Sequence, residues 1–108
     1  MALPHAKPGE IVDLEPMGSG LSRARTAAIV KTDQLEVIRL ILPAGAEIPP
    51  HKVSGEITLH CLEGHVTLTT DAAPMMLKAH QWVYLAGGAL HSVKAIEDAS
   101  LLVTISLR

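Results

Sequence analysis

From Gln34 onward, apolar and polar side chains change places at every second position, the period of a strand with one face buried. Ile57, Leu59 and Cys61 alternate with Glu56, Thr58 and His60, and beyond Gly64 the residues Val66 and Leu68 alternate with threonines. The run from Gln34 to Leu42 is rich in branched side chains on both parities, Leu35, Val37 and Ile41 against Ile38, Leu40 and Leu42. Such a run predicts a strand covered on both faces. Pro43 to Gly45, Glu63-Gly64 and Asp71 to Pro74 are turn signals. Further strands are expected over Met75 to Lys78, Gln81 to Leu85 and Leu101 to Leu107. Short strands with a turn roughly every ten residues predict an all-β barrel or sandwich.

The beginning of the chain reads differently. Residues 1–20 hold Pro4, Pro8, Pro16 and three glycines, which predicts a loop-rich arm with room for one short strand at Glu10 to Leu14. Residues 21–108 then form a single domain, and Ala24 to Val30 reads as a helical turn or as its first, edge strand, the strand being the one expected. No internal repeat or low-complexity tract interrupts it.

Composition narrows the function classes. A chain of 108 residues is one domain's worth and buries roughly two thirds of its unfolded surface. Its core must be aliphatic, because Trp82 and Tyr84 are the only aromatic residues among 48% hydrophobic ones. The net charge of −2 is spread along the chain, with no basic run or aromatic platform for nucleic acid. Nothing approaches the length of a membrane span, and the first residues lack the apolar stretch of a signal peptide. One cysteine, Cys61, forms no internal disulfide and suits a reducing compartment. A soluble cytoplasmic domain is expected, without nucleic-acid or membrane partners.

Two spaced patterns carry a resemblance. Gly45, His51 and Gly64 stand where the first signature of the cupin superfamily has its opening glycine, first histidine and closing glycine. The second histidine falls on Val53 and the glutamate on Ile57, whether counted forward or back. Gly88-Ala-Leu-His91 is similar to the core of the second signature, with His80 at its opening glycine, Ala86 at its proline and Ala95 at its asparagine. The chain resembles small single-domain bacterial cupins of the RmlC-like type. That resemblance implies a double-stranded β-helix barrel, a jelly-roll of all-β class, and frequently a homodimer.

In metal-binding members of that superfamily, three histidines and a glutamate hold iron, manganese, nickel or zinc. The resemblance carries over two of these positions, His51 and His91. Imidazole suits such metals, but zinc sites generally need three or four protein ligands. His60 and Glu56 are the nearest substitutes. A β-bulge at Ser54-Gly55 would turn Glu56, Thr58 and His60 into the barrel and complete a site with His51, His91 and His60. The unshifted register buries the more apolar set Ile57, Leu59 and Cys61 and is the one expected. The ligand pocket is then His51, Val53, Ile57, Leu59, Trp82 and His91, with core or interface as the other fate of Trp82.

Three functions follow as expectations. The first is a barrel that binds a small organic ligand through His51 and His91. The second is a metal-dependent enzyme of dioxygenase, isomerase or decarboxylase type, using His60 or Glu56 as a third ligand. The third is an interaction module. Metal content separates the first two. No serine sits in an esterase elbow, and neither a P-loop nor a dinucleotide fingerprint occurs.

Overall fold

The computed structural model describes residues 5–71 and 73–107. Met1 to Pro4 lie outside the described residues, as does Ala72 within the Asp71 to Pro74 turn. A 3-10 helix, Gly18–Arg23, precedes nine strands. These are β1 (Ala27–Lys31), β2 (Leu35–Leu42), β3 (Glu47–His51), β4 (Ile57–Glu63), β5 (His65–Thr70), β6 (Pro74–Lys78), β7 (Trp82–Leu85), β8 (His91–Ala95) and β9 (Ala99–Ser106). Each expected strand from Gln34 onward is present within a residue or two. Two strands were not anticipated. β3 contains Pro49 and Pro50, which read as loop, and β8 is a short alternating run hidden inside the second glycine-histidine pattern. No strand forms at Glu10 to Leu14, and the expected boundary after residue 20 falls inside the 3-10 helix.

The strands form two antiparallel sheets, β1-β2-β9-β4-β7 and β3-β8-β5-β6. From β2 to β5 and from β6 to β9 each strand changes sheet, as in a double-stranded β-helix, while β1–β2 and β5–β6 are hairpins within one sheet. β3 is an edge strand, where proline's missing N–H costs no ladder bond. Between the sheets lies the aliphatic core, including Leu59, Cys61, Val66, Leu68, Val93, Leu101 and Val103. Each fully buried leucine stabilises the fold by about 1.5–3 kcal/mol.

The corner between β4 and β5 needs a glycine for two reasons. Gly64 has φ +73°, and a side chain there would collide with the Asp98 carbonyl oxygen. His80 has φ +75° and is the only non-glycine residue with positive φ among the described residues. The position that aligns with a glycine in the second signature therefore keeps a glycine's backbone under a histidine side chain.

β2 shows how the chain covers its own outer face. Ile38 and Leu40 point into the barrel, and Arg39 points out yet is only 8% exposed. The amino-terminal arm covers it. Arg39 Nη2 donates to the Glu15 carbonyl at 2.9 Å, and Nε donates to Ser100 Oγ at 3.0 Å. Glu63 Oε2 lies 3.8 Å from the guanidinium, and Glu63 Oε1 accepts from the Gly18 amide at 2.9 Å. A nearly buried cation is tolerable only when so paired. The two-faced burial expected of β2 is thus met partly by the chain itself, while Leu35 at its start stays exposed.

Candidate functional site

A bulge decides which way His51 points. β3 and β8 pair Ile48 with Val93 and then His51 with His91, so β3 carries one extra residue between the two pairs. Ile48 and His51 differ by an odd number of positions and would face opposite sides of a regular strand. The extra residue at Pro49-Pro50 resets the phase, and both line the same cavity. The bulge considered at Ser54-Gly55 does not occur within a strand; that segment is the loop before β4.

The cavity has a volume of about 150 Å³. Val53, Ile57 and Leu59 line it, together with Ile38, Leu40, Ile48, Val93, Val103 and Ile105. Its polar side chains are His51 and His91. The two rings stand 4.3 Å apart between centroids, inclined at 55°. His91 is buried and His51 half-buried. The loops that carry them are tied together at the mouth, where the Gly88 amide donates to the Val53 carbonyl at 2.8 Å.

Both imidazoles are oriented alike. Nδ1 of His51 lies 3.1 Å from the Pro49 carbonyl oxygen, and Nδ1 of His91 lies 3.0 Å from that of Ala89. A carbonyl oxygen accepts only, so each Nδ1 carries the hydrogen and donates. Nε2 is left as the nitrogen available to a ligand. Glu63 Oε2 is the one sealed side-chain polar atom lacking a hydrogen bond among the described residues, so neither Nε2 is sealed in the protein.

Trp82 requires a correction. In the β4–β7 ladder Ile57 pairs with Leu85, Leu59 with Val83 and His60 with Trp82. Val83 and Leu85 therefore share the inward parity, and Trp82 and Tyr84 project outward, 59% and 49% exposed. Alternation makes the placement all-or-none for the strand.

The same parity corrects the substitute ligands. His60 lies on the outer face between Trp82 and Leu102, and Glu56 lines a separate, more open hollow with Thr58 and Thr104. Neither reaches the cavity of His51 and His91. No group of three or more histidine, cysteine, aspartate or glutamate side chains is placed to hold a metal ion among the described residues. Two imidazoles in an aliphatic wall do not make the three- or four-ligand set that the superfamily's metal centres use.

Cys61 is not part of the site. Its thiol is fully buried beneath the β4–β5 corner and donates to the Glu63 carbonyl at 3.4 Å. Burial pushes its pKa up to about 11, with nearby Glu63 and Glu97 adding to the rise against that hydrogen bond. A protonated thiol is a poor nucleophile.

Ile38, Leu40, Ile48, Val93, Val103 and Ile105 line the cavity beyond the residues that the signature spacing names. The alternation of Ile38 with Leu40 and of Val103 with Ile105 was a usable signal. The pairing that brings β8 beside β3 had none.

The sequence matches no family model and no curated protein. Solved structures are nevertheless similar in fold. A cupin superfamily protein from Desulfitobacterium hafniense superposes with a TM-score of 0.75 at 13% identity, over 77% of this chain and 76% of that one. An RmlC-like cupin from Shewanella frigidimarina gives 0.75 at 19% identity, over 98% and 93%. A conserved protein of unknown function from Streptococcus pyogenes gives 0.77 at 17% identity, over 100% and 96%.

Proposed function

The chain has the cupin fold, an all-β double-stranded β-helix, and we propose that it serves to bind a small organic molecule inside the barrel. One observation carries this reading. Two imidazoles, placed side by side by a bulged ladder, are the polar side chains of an otherwise aliphatic cavity. Concave, mainly apolar sites with a few convergent polar groups are the usual form of a ligand pocket. The inward wall at Val53 and Ile57 favours apolar ligand atoms over a metal ion.

A fragment screen of compounds with one ring or a short branched chain tests the reading. Binding to the wild-type protein is expected, and its loss when Leu59→Trp fills the cavity. Absence of any binder at millimolar concentration, or undiminished binding to the filled variant, overturns it.

The homodimer is assigned to the outer face of the five-stranded sheet. There Trp82, Tyr84, His60 and Leu102 lie together beside the edge strand β7, and Arg39, the register partner of Leu102, is held by the arm and Glu63. Exposed aromatic residues such as Trp82 and Tyr84 are the kind enriched at the core of an interface. Light scattering at micromolar concentration is expected to give a dimer, and Trp82→Ser a monomer. A wild-type monomer removes this assignment and leaves the cavity untouched.

A further inference from the structure

The orientation of the two histidines and the volume of the cavity together restrict the ligand. We infer that the site takes an uncharged, hydroxyl-bearing ring of the phenol class, whose hydroxyl donates its hydrogen to Nε2 of one ring of the His51–His91 pair. The inference rests on the small-molecule reading above and deepens it.

Polarity comes first. Each Nδ1–H is committed to a carbonyl two residues back along its own chain, Pro49 for His51 and Ala89 for His91. A neutral imidazole fixed in that tautomer offers Nε2 as an acceptor and nothing else. The nine other lining side chains are aliphatic and offer neither donors nor acceptors. An uncharged pair of rings 4.3 Å apart therefore presents two acceptors and no donor. A carboxylate brings acceptors only and meets no donor in this cavity. A hydroxyl brings the missing hydrogen.

Size and shape come next. At about 150 Å³ the cavity matches in volume an engineered apolar cavity that holds benzene. One six-membered ring fills such a space. A sugar of the same size carries several hydroxyls, and most of them would face Ile57, Leu59, Val93 and Val103 with no partner. A phenol turns one polar edge to the histidines and its apolar body to the aliphatic wall. The pair of acceptors leaves room for a second hydroxyl.

Three probes with one body separate the possibilities: phenol, toluene and benzoate, titrated calorimetrically at pH 8 into the full chain. Phenol is expected to bind at least tenfold tighter than toluene, and benzoate more weakly than toluene. Toluene equal to phenol, or benzoate tightest, overturns the donor requirement while leaving a small-molecule site in place. Failure of all three to bind, in the wild type and in a cavity enlarged by Ile57→Ala, overturns this inference; the underlying reading falls only if the wider fragment screen is also empty. The double variant His51→Leu with His91→Leu is expected to bring the phenol-to-toluene preference close to unity, and an unchanged preference counts against the assignment. A measurement without any variant stands beside these. Long-range ¹⁵N–¹H spectra are expected to show the Nδ1–H tautomer for both rings, and an Nε2–H tautomer in either ring overturns the argument.

Discussion

His51 and His91 are register partners across the β3–β8 ladder, with ring centroids 4.3 Å apart, although thirty-nine residues of chain lie between them. Each ring is steered by its own backbone, through a carbonyl two positions earlier. That arrangement sets the tautomer before any ligand arrives. Outer partners of this kind also orient histidines that bind metals. Here two imidazoles have that orientation in a wall where Val53 and Ile57 are aliphatic.

Placing metal-binding side chains at those positions tests this relationship directly. Val53→His with Ile57→Glu is expected to create a four-ligand centre with His51 and His91 and to retain about one equivalent of a first-row metal. The wild-type protein is expected to retain far less. Elemental analysis by mass spectrometry of untagged, chelator-free protein reads both. Equal metal content in the two proteins would contradict the donor count.

Removing either ring is expected to weaken ligand binding without unfolding the barrel. His51→Ala should cost about fivefold to tenfold in affinity, the worth of one hydrogen bond of roughly 1–1.5 kcal/mol. His91→Ala should cost as much in affinity and also lower the melting temperature, because its ring is 2% exposed. Calorimetric titration and thermal unfolding distinguish the two effects.

His80 carries a backbone conformation that a glycine adopts freely. His80→Gly is therefore expected to stabilise the protein by about 1 kcal/mol, while Gly64→Ala, strained and in collision with the Asp98 carbonyl, destabilises it by more than ~2 kcal/mol. Denaturant titration gives both values. A destabilised His80→Gly would mean that the side chain outweighs the strain.

Arg39 anchors the amino-terminal arm through Glu15 and stands beside Glu63. Arg39→Ala is expected to destabilise the fold by about 3 kcal/mol, since it leaves the Glu63 carboxylate, mostly buried, without its cation. Hydrogen exchange at the Gly18 amide should accelerate in the same variant. Unchanged exchange would show that Glu63 holds the arm unaided.

The thiol of Cys61 sets a pH dependence. Its folded pKa of about 11 lies above the ordinary thiol value of 9.0, so the folded state keeps its proton longer than the unfolded chain does. This stabilisation is complete below the unfolded value and is lost as pH rises through the folded one. Between pH 9 and 11 the loss is about 2–3 kcal/mol. Cys61→Ala should flatten that part of the profile. Native protein at pH 8 should resist alkylation until it is unfolded.

By itself the sequence determined what is local. The alternation of Ile57, Leu59 and Cys61 with Thr58 and His60 assigned the inward face of β4, because a period of two follows from the pleat of a single strand. The spacing of Gly45, Gly64 and Gly88 marked turns where the backbone takes positive φ. Tertiary structure decided the rest. Whether Trp82 or Val83 entered the barrel depended on which parity of β7 faced β4's buried side. The inward turn of His51 depended on one extra residue at Pro49-Pro50, and a bulge is defined only against the partner strand. The shelter of Arg39 needed the arm to cross a distant sheet. Alternation is written into neighbouring residues, whereas pairing, bulges and coverage arise between segments far apart in the chain.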